Sequence, residues 1–174
     1  MSPGAAPLPA SLAAPPEAPR SAGARAAVPL MLVRVGGRWF ALAAHRVEQV
    51  AAKGAVTRVP TAARHVLGVT GLRSGLVPVI SLEEMIGTVG PPASDPVALP
   101  RLVVVRAGDC EIALVVDESR GIIDDLPADI ATTPSKAGAP CFMQQEFEWQ
   151  GKVVFVLDVP QLVASAAGWN LGGV

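Results

Sequence analysis

The chain has 174 residues, 51% of them apolar and 17% charged, with a formal net charge of −1 at pH 7. That balance describes a soluble globular protein, long enough for one domain or two closely packed halves. It excludes a nucleic-acid surface, which needs a basic face, and the absence of Tyr with only 4% aromatics excludes a stacking platform for bases or sugars.

Residues 1–28 differ in kind from the rest. Ala, Pro, Ser and Gly dominate, with one acidic residue, Glu17, and two basic ones, Arg20 and Arg25. Such a stretch buries too little apolar surface to offset its ordering entropy, so a disordered tail is expected. It lacks the basic start and apolar run of a secretory signal. No later stretch approaches the ~20 apolar residues that span a bilayer. A cytoplasmic protein without direct membrane insertion is the expectation.

Short strands separated by turn signals follow. They are expected near 30–35, 38–43 and 47–51, with Val56-Thr57-Arg58-Val59-Pro60 as an extended piece ending at a proline. The segment Thr61–Gly68 is expected to hold a short helical turn over Ala62, Ala63 and Val66. A strand near 76–80 then runs into a short helix. Ser81 and Glu84 there have the spacing of a capping box, in which a side-chain oxygen satisfies free helix amides. Residues 88–100, with Pro91, Pro92, Pro96 and Pro100, read as a linker. Further strands are expected near 102–107, 110–116, 120–124, 143–149 and 152–157. The last ends in a second capping box, Asp158 with Gln161, that starts a helix over about 159–167 closing at Gly168.

The chain repeats itself. Leu32-Val33-Arg34-Val35-Gly36-Gly37-Arg38-Trp39-Phe40-Ala41-Leu42 resembles Val104-Val105-Arg106-Ala107-Gly108-Asp109-Cys110-Glu111-Ile112-Ala113-Leu114, two strand pairs joined by tight glycine turns. Pro78–Ile86 resembles Phe155–Val163. The offset is 72 residues at the front of the unit and 77 at its end. Two similar β-units are therefore expected, and a half of ~70 residues closes only a small core, so the halves should share buried surface.

Candidate reactive groups are few. His45 and His65 lack ligand spacing, so no metal is expected. Asp117-Glu118 and Asp124-Asp125 read as solvated turns. Ser74 and Ser81 lack a nucleophile elbow, and Ser81 already has a capping task. No glycine loop cradles a phosphate, and no cofactor is expected. Cys110 and Cys141 make no disulfide framework; Cys110, at a strand start, is expected to be buried and inert. Arg73 stands out, at a turn before the most apolar strand, where a planar guanidinium fork suits a partner's carboxylates or carbonyls.

An ordered set of residues resembles the CheW-like family of adaptor proteins in bacterial chemotaxis. It comprises Phe40-Ala41-Leu42-Ala43, Val47 and Val50, Arg58-Val59-Pro60, Leu67-Gly68-Val69, Leu72-Arg73, Val77-Pro78-Val79-Ile80-Ser81-Leu82, Gly87, and Leu114-Val115-Val116-Asp117-Glu118 with Gly121-Ile122 behind. The resemblance spans about Leu30 to Ala167. It implies an all-β fold with short helices, built as two packed five-stranded Src-homology-3-like β-barrels. A CheW-like domain over 29–170 is expected, with the first barrel mainly over 29–90 and the second mainly over 98–160.

The resemblance further implies no enzymatic activity. Its implied partners are the regulatory domain of a CheA-type histidine kinase and the cytoplasmic tip of a methyl-accepting chemoreceptor. Protein-binding positions are expected at Val47, Gln49, Gly68, Leu72 and Arg73. The sequence departs from the family at Gln49 (usually acidic), Gly71 (usually Asn), Ser74 (usually Gly) and Ser81 (usually Asp). The alternatives are a divergent localisation adaptor with other partners, and a small β-barrel ligand-binding protein or enzyme with a cleft between its halves.

Overall fold

The computed structural model describes residues 29–87, 100–123, 133–134, 138–143 and 145–168. The expected tail, most of the expected linker, and Asp124-Asp125 lie outside the described residues.

Among the described residues, eleven strands and two α-helices follow in order: β1 (Leu30–Val35), β2 (Arg38–Ala43), β3 (Val47–Ala52), β4 (Val66–Leu72), β5 (Gly75–Ile80), α1 (Leu82–Ile86), β6 (Arg101–Ala107), β7 (Cys110–Val116), β8 (Glu118–Ile123), β9 (Thr133–Pro134), β10 (Gln145–Trp149), β11 (Lys152–Leu157) and α2 (Val159–Gly168). The fold is all-β with short helices. One sheet has the order β8-β1-β2-β11-β10-β9 and the other β3-β6-β7-β5-β4. Five strands were expected in each; the sixth in the first sheet is the two-residue β9.

One element was misread. Val66, Leu67 and Gly68 belong to β4, not to a helical turn. Small alanines at 62 and 63 resemble helix formers, but β4 pairs with β5 along its length, from Val66–Ile80 to Leu72–Gly75. Tertiary pairing outweighs that weak local preference.

The two repeat units contain matching pieces. Hairpin β1–β2 turns at Gly36 (φ 56°) and Gly37 (φ 76°), left-handed backbone that glycine adopts without strain. Hairpin β6–β7 turns equally tightly, closing at Ala107–Cys110. Ser81 caps α1 by accepting from the Glu84 amide at 3.4 Å, and Asp158 caps α2 by accepting from the Gln161 amide at 3.0 Å.

The sheets do not follow the chain halves. β11, from the second copy, runs parallel beside β2, with Val154 opposite Trp39 and Leu157 opposite Leu42. β5, from the first copy, runs parallel beside β7, with Val79 opposite Ala113. Each sheet therefore takes strands from both copies. A half of ~70 residues closes only a small core, and the exchange pools the buried surface of both.

Burial explains why the strands read as nearly continuous apolar runs. Each sheet has a small core of its own on one face: Leu32, Trp39, Ala41, Phe147 and Val154 in the first, and Val77, Val79, Leu102, Val104 and Ala113 in the second. The alternate residues face a shared seam, where Val33, Phe40, Leu42, Val103, Val105, Leu114 and Leu157 meet. α2 lays Val159, Leu162, Val163 and Ala166 into that seam, an i, i+3, i+4, i+7 stripe. Strands buried on both faces cannot show polar alternation.

Candidate docking site

Of the five expected protein-binding residues, four fall on the two outer strands of the second sheet and the fifth in the turn beside one of them. Val47 and Gln49 lie on β3, Gly68 and Leu72 on β4, and Arg73 in the turn between β4 and β5. They divide by burial. Val47 packs partly against the seam and Leu72 partly against the sheet's own core. Gly68 is buried, whereas Arg73 is exposed.

Gly68 has a structural reason. Its φ is +148°, and a β-carbon there would collide with the Thr57 carbonyl oxygen. Thr57 and Val69 exchange two backbone hydrogen bonds of 2.9 and 2.8 Å, so the extended piece around Thr57 lies directly on β4. Thr70 Oγ1 adds a bond to the Ala55 carbonyl at 2.9 Å. Gly68 therefore shapes the surface from beneath.

The β4–β5 hairpin is the most prominent apolar protrusion among the described residues. Leu76 is 78% exposed, more than any other large apolar side chain there. It pairs across the hairpin with Gly71, which offers no side chain to cover it. Arg73 and Ser74 form the exposed tip. Sequence reading singled out Arg73 but missed Leu76. The signal was present, because Val77 and Val79 point inward and strand alternation then turns Leu76 outward.

On β3 the register shifts between Val47 and Gln49, leaving Glu48 as the extra residue of a bulge. Glu48 reaches Arg106 Nε at 2.8 Å, and Arg106 also pairs with Glu111. The acidic charge on this strand thus sits one position before neutral Gln49 and is engaged within the sheet.

Other candidates take structural places. Asp117 and Glu118, expected in a solvated turn, are half-buried and bonded. Asp117 Oδ2 accepts from the Gly36 amide at 2.9 Å, the Asp117 amide donates to the Arg34 carbonyl at 2.9 Å, and Glu118 pairs with Arg34 at 3.3 Å. These bonds hold β8 to the β1–β2 hairpin. Glu83, whose carboxyl lies close to Gly36, is pushed above its ordinary pKa by partial burial first, then by Asp117 and Glu84. His65 is buried with Nε2 3.4 Å from the Ala166 carbonyl, tying the β4 approach to α2. His45 is exposed in a single 3-10 turn, Ala44–Arg46. Cys110, expected to be buried, is exposed, because it opens β7 at the hairpin turn; Cys141 is exposed too. Among the described residues, no three His, Cys, Asp or Glu side chains are grouped to hold a metal ion, and no helix is long and apolar enough to cross a membrane.

Two packed sheets thus carry an exposed leucine and arginine at the β4–β5 hairpin. The sequence pattern of the CheW-like domain matches residues 29–167. The chain belongs to the CheW-like family of chemotaxis scaffolds. The chemotaxis protein CheW of Thermotoga maritima is 25% identical over 119 residues, covering 67% of this chain and 75% of that protein. The scaffolding protein TtCheW from Thermoanaerobacter tengcongensis shares the fold, with a TM-score of 0.63 and 18% identity over 75% of this chain and 88% of that one.

Proposed function

We propose that this protein is a non-catalytic cytoplasmic adaptor joining chemoreceptor tips to a CheA-type histidine kinase, in chemotaxis or a related chemosensory pathway. The observation that carries this reading is the β4–β5 hairpin, where Leu76 and Arg73 stand exposed. Its mechanism is positional. Two partners held on one rigid body pass a change in receptor conformation to the kinase without any bond being made or broken. Val47 and Gln49 on β3 and Leu72 and Arg73 at the hairpin supply two separate edges for that purpose.

A stable contact of this kind buries roughly 1,200–2,000 Å² in total, and a few anchors carry most of the energy. An exposed apolar anchor beside an arginine fits that pattern. Reversing Arg73 to Glu costs about 2–5 kcal/mol of binding when the guanidinium is paired across the contact. The test is co-sedimentation of the full chain with a receptor-tip fragment and a kinase regulatory domain. Arg73→Glu is expected to lose one partner while melting like the wild type; undiminished assembly by this variant removes Arg73 from the site.

A further inference from the structure

We infer that the Trp39 end of the six-stranded sheet is an additional docking surface, built for an acidic segment of a partner protein. This goes beyond the receptor and kinase reading and does not depend on it. A groove of about 570 Å³ opens there, at the mouth of the small core that Trp39 shares with Leu32, Ala41, Phe147 and Val154. Four basic side chains line it, Arg34, Arg38, Arg120 and Lys152, against the single carboxylate of Glu118. The whole chain carries a net charge of −1, so this concentration of positive charge is local.

Three of these cations, Arg34, Arg120 and Lys152, have close partners. Arg120 lies 5.0 Å from the centre of the Trp39 ring and 5.9 Å from that of Trp149, and Lys152 lies 5.2 Å from Trp39. Two charges against one ring sit within about one Debye length, ~10 Å at 0.1 M, so their repulsion is only partly screened. Glu118 is shared between Arg34 at 3.3 Å and Arg120 at 3.4 Å. The buried Arg34 Nε still has no well-directed hydrogen bond among the described residues. One carboxylate for four cations leaves the groove short of negative charge.

The lining also names the kind of anion. Val153 is 53% exposed at the groove and Phe155 lies beside it, giving apolar surface next to the charges. Carboxylates interspersed with an apolar side chain match that mixture, as in an acidic peptide. The chain's own residues 1–28 do not, with Glu17 against Arg20 and Arg25. A second basic groove, near Lys53, Arg58 and Arg64, has no aromatic ring in its lining and serves as the comparison.

The test is an anisotropy titration of the full chain with a labelled synthetic peptide of glutamates interrupted by one leucine, at low and physiological salt. Saturable binding that weakens with salt is expected, with the glutamine counterpart of the peptide not binding. Arg38→Glu with Lys152→Glu should weaken binding by roughly tenfold or more, whereas Lys53→Glu with Arg58→Glu should change it by less than about twofold. Thermal melts check that both variants fold. Should the first pair fail to fold, the wild-type indole N–H resonances decide, and peptide-induced shifts at Trp39 and Trp149 are expected. No saturable binding, equal binding by the reversed variant, shifts confined elsewhere, or preference for phosphatidylserine vesicles or inorganic phosphate over the peptide would each overturn the inference.

Discussion

The carbonyl oxygen of Thr57 occupies the space that a β-carbon on Gly68 would need. This contact, with the paired backbone bonds between Thr57 and Val69, covers the outer edge of β4 at its middle. An uncovered edge would invite unwanted strand pairing. It also sets the platform from which the β4–β5 hairpin projects.

Gly68→Ala should therefore destabilise the fold by about 1–3 kcal/mol, since it adds a clash with backbone and strains a positive φ. Urea unfolding measures this, and an unchanged midpoint would show that the Thr57 segment is free to move aside.

Leu76→Ser should separate binding from stability. At 78% exposure the side chain contributes little to folding, so the unfolding free energy should stay within about 0.5 kcal/mol of wild type. Partner affinity should drop by more than about 1 kcal/mol if Leu76 anchors the contact. Calorimetric titration reads the second quantity and a melt the first.

Glu83 gives a pH signature. Burial, Asp117 and Glu84 raise its pKa above the ordinary 4.5, so between those values the folded state holds more proton than the unfolded chain. Its contribution is present below the unfolded value and is lost as pH rises through the folded one. Glu83→Gln should flatten this fall and make the protein relatively more stable at neutral pH. A variant whose stability falls as steeply as wild type over that window would contradict the assignment.

The exchanged strands predict one cooperative unit. Leu114 is fully buried in the seam, so Leu114→Ala should cost about 2–5 kcal/mol. Trp149 fluorescence, reporting the six-stranded sheet, and exchange of the β6 amides, reporting the five-stranded one, should yield the same unfolding midpoint. Two separated transitions would mean that the sheets are independent.

Much of this architecture is written locally in the chain. The Gly36-Gly37 turn, the Ser81 and Asp158 caps and the apolar period of α2 are short-range signals, and each sits where its residues place it. Arg73 was visible because a charge interrupts an apolar run. What escaped notice depends on distant partners. β4 is strand because β5 lies beside it, and the parallel pairing of Trp39 with Val154 joins residues more than a hundred positions apart. The stacking of Arg120 and Lys152 on Trp39 could not be read from spacing, since three separate strands deliver the side chains. Cys110 was misjudged for a related reason: a strand's first residue can lie at the solvent-exposed hairpin tip.

The most direct measurement is a three-component titration of the full chain with a purified receptor-tip fragment and a CheA-type regulatory domain, followed by analytical ultracentrifugation. A ternary species whose formation requires this protein, and which Arg73→Glu with Leu76→Ser reduces to a binary one, is the predicted result. Receptor and kinase domains that sediment apart from the wild-type protein would contradict the adaptor assignment.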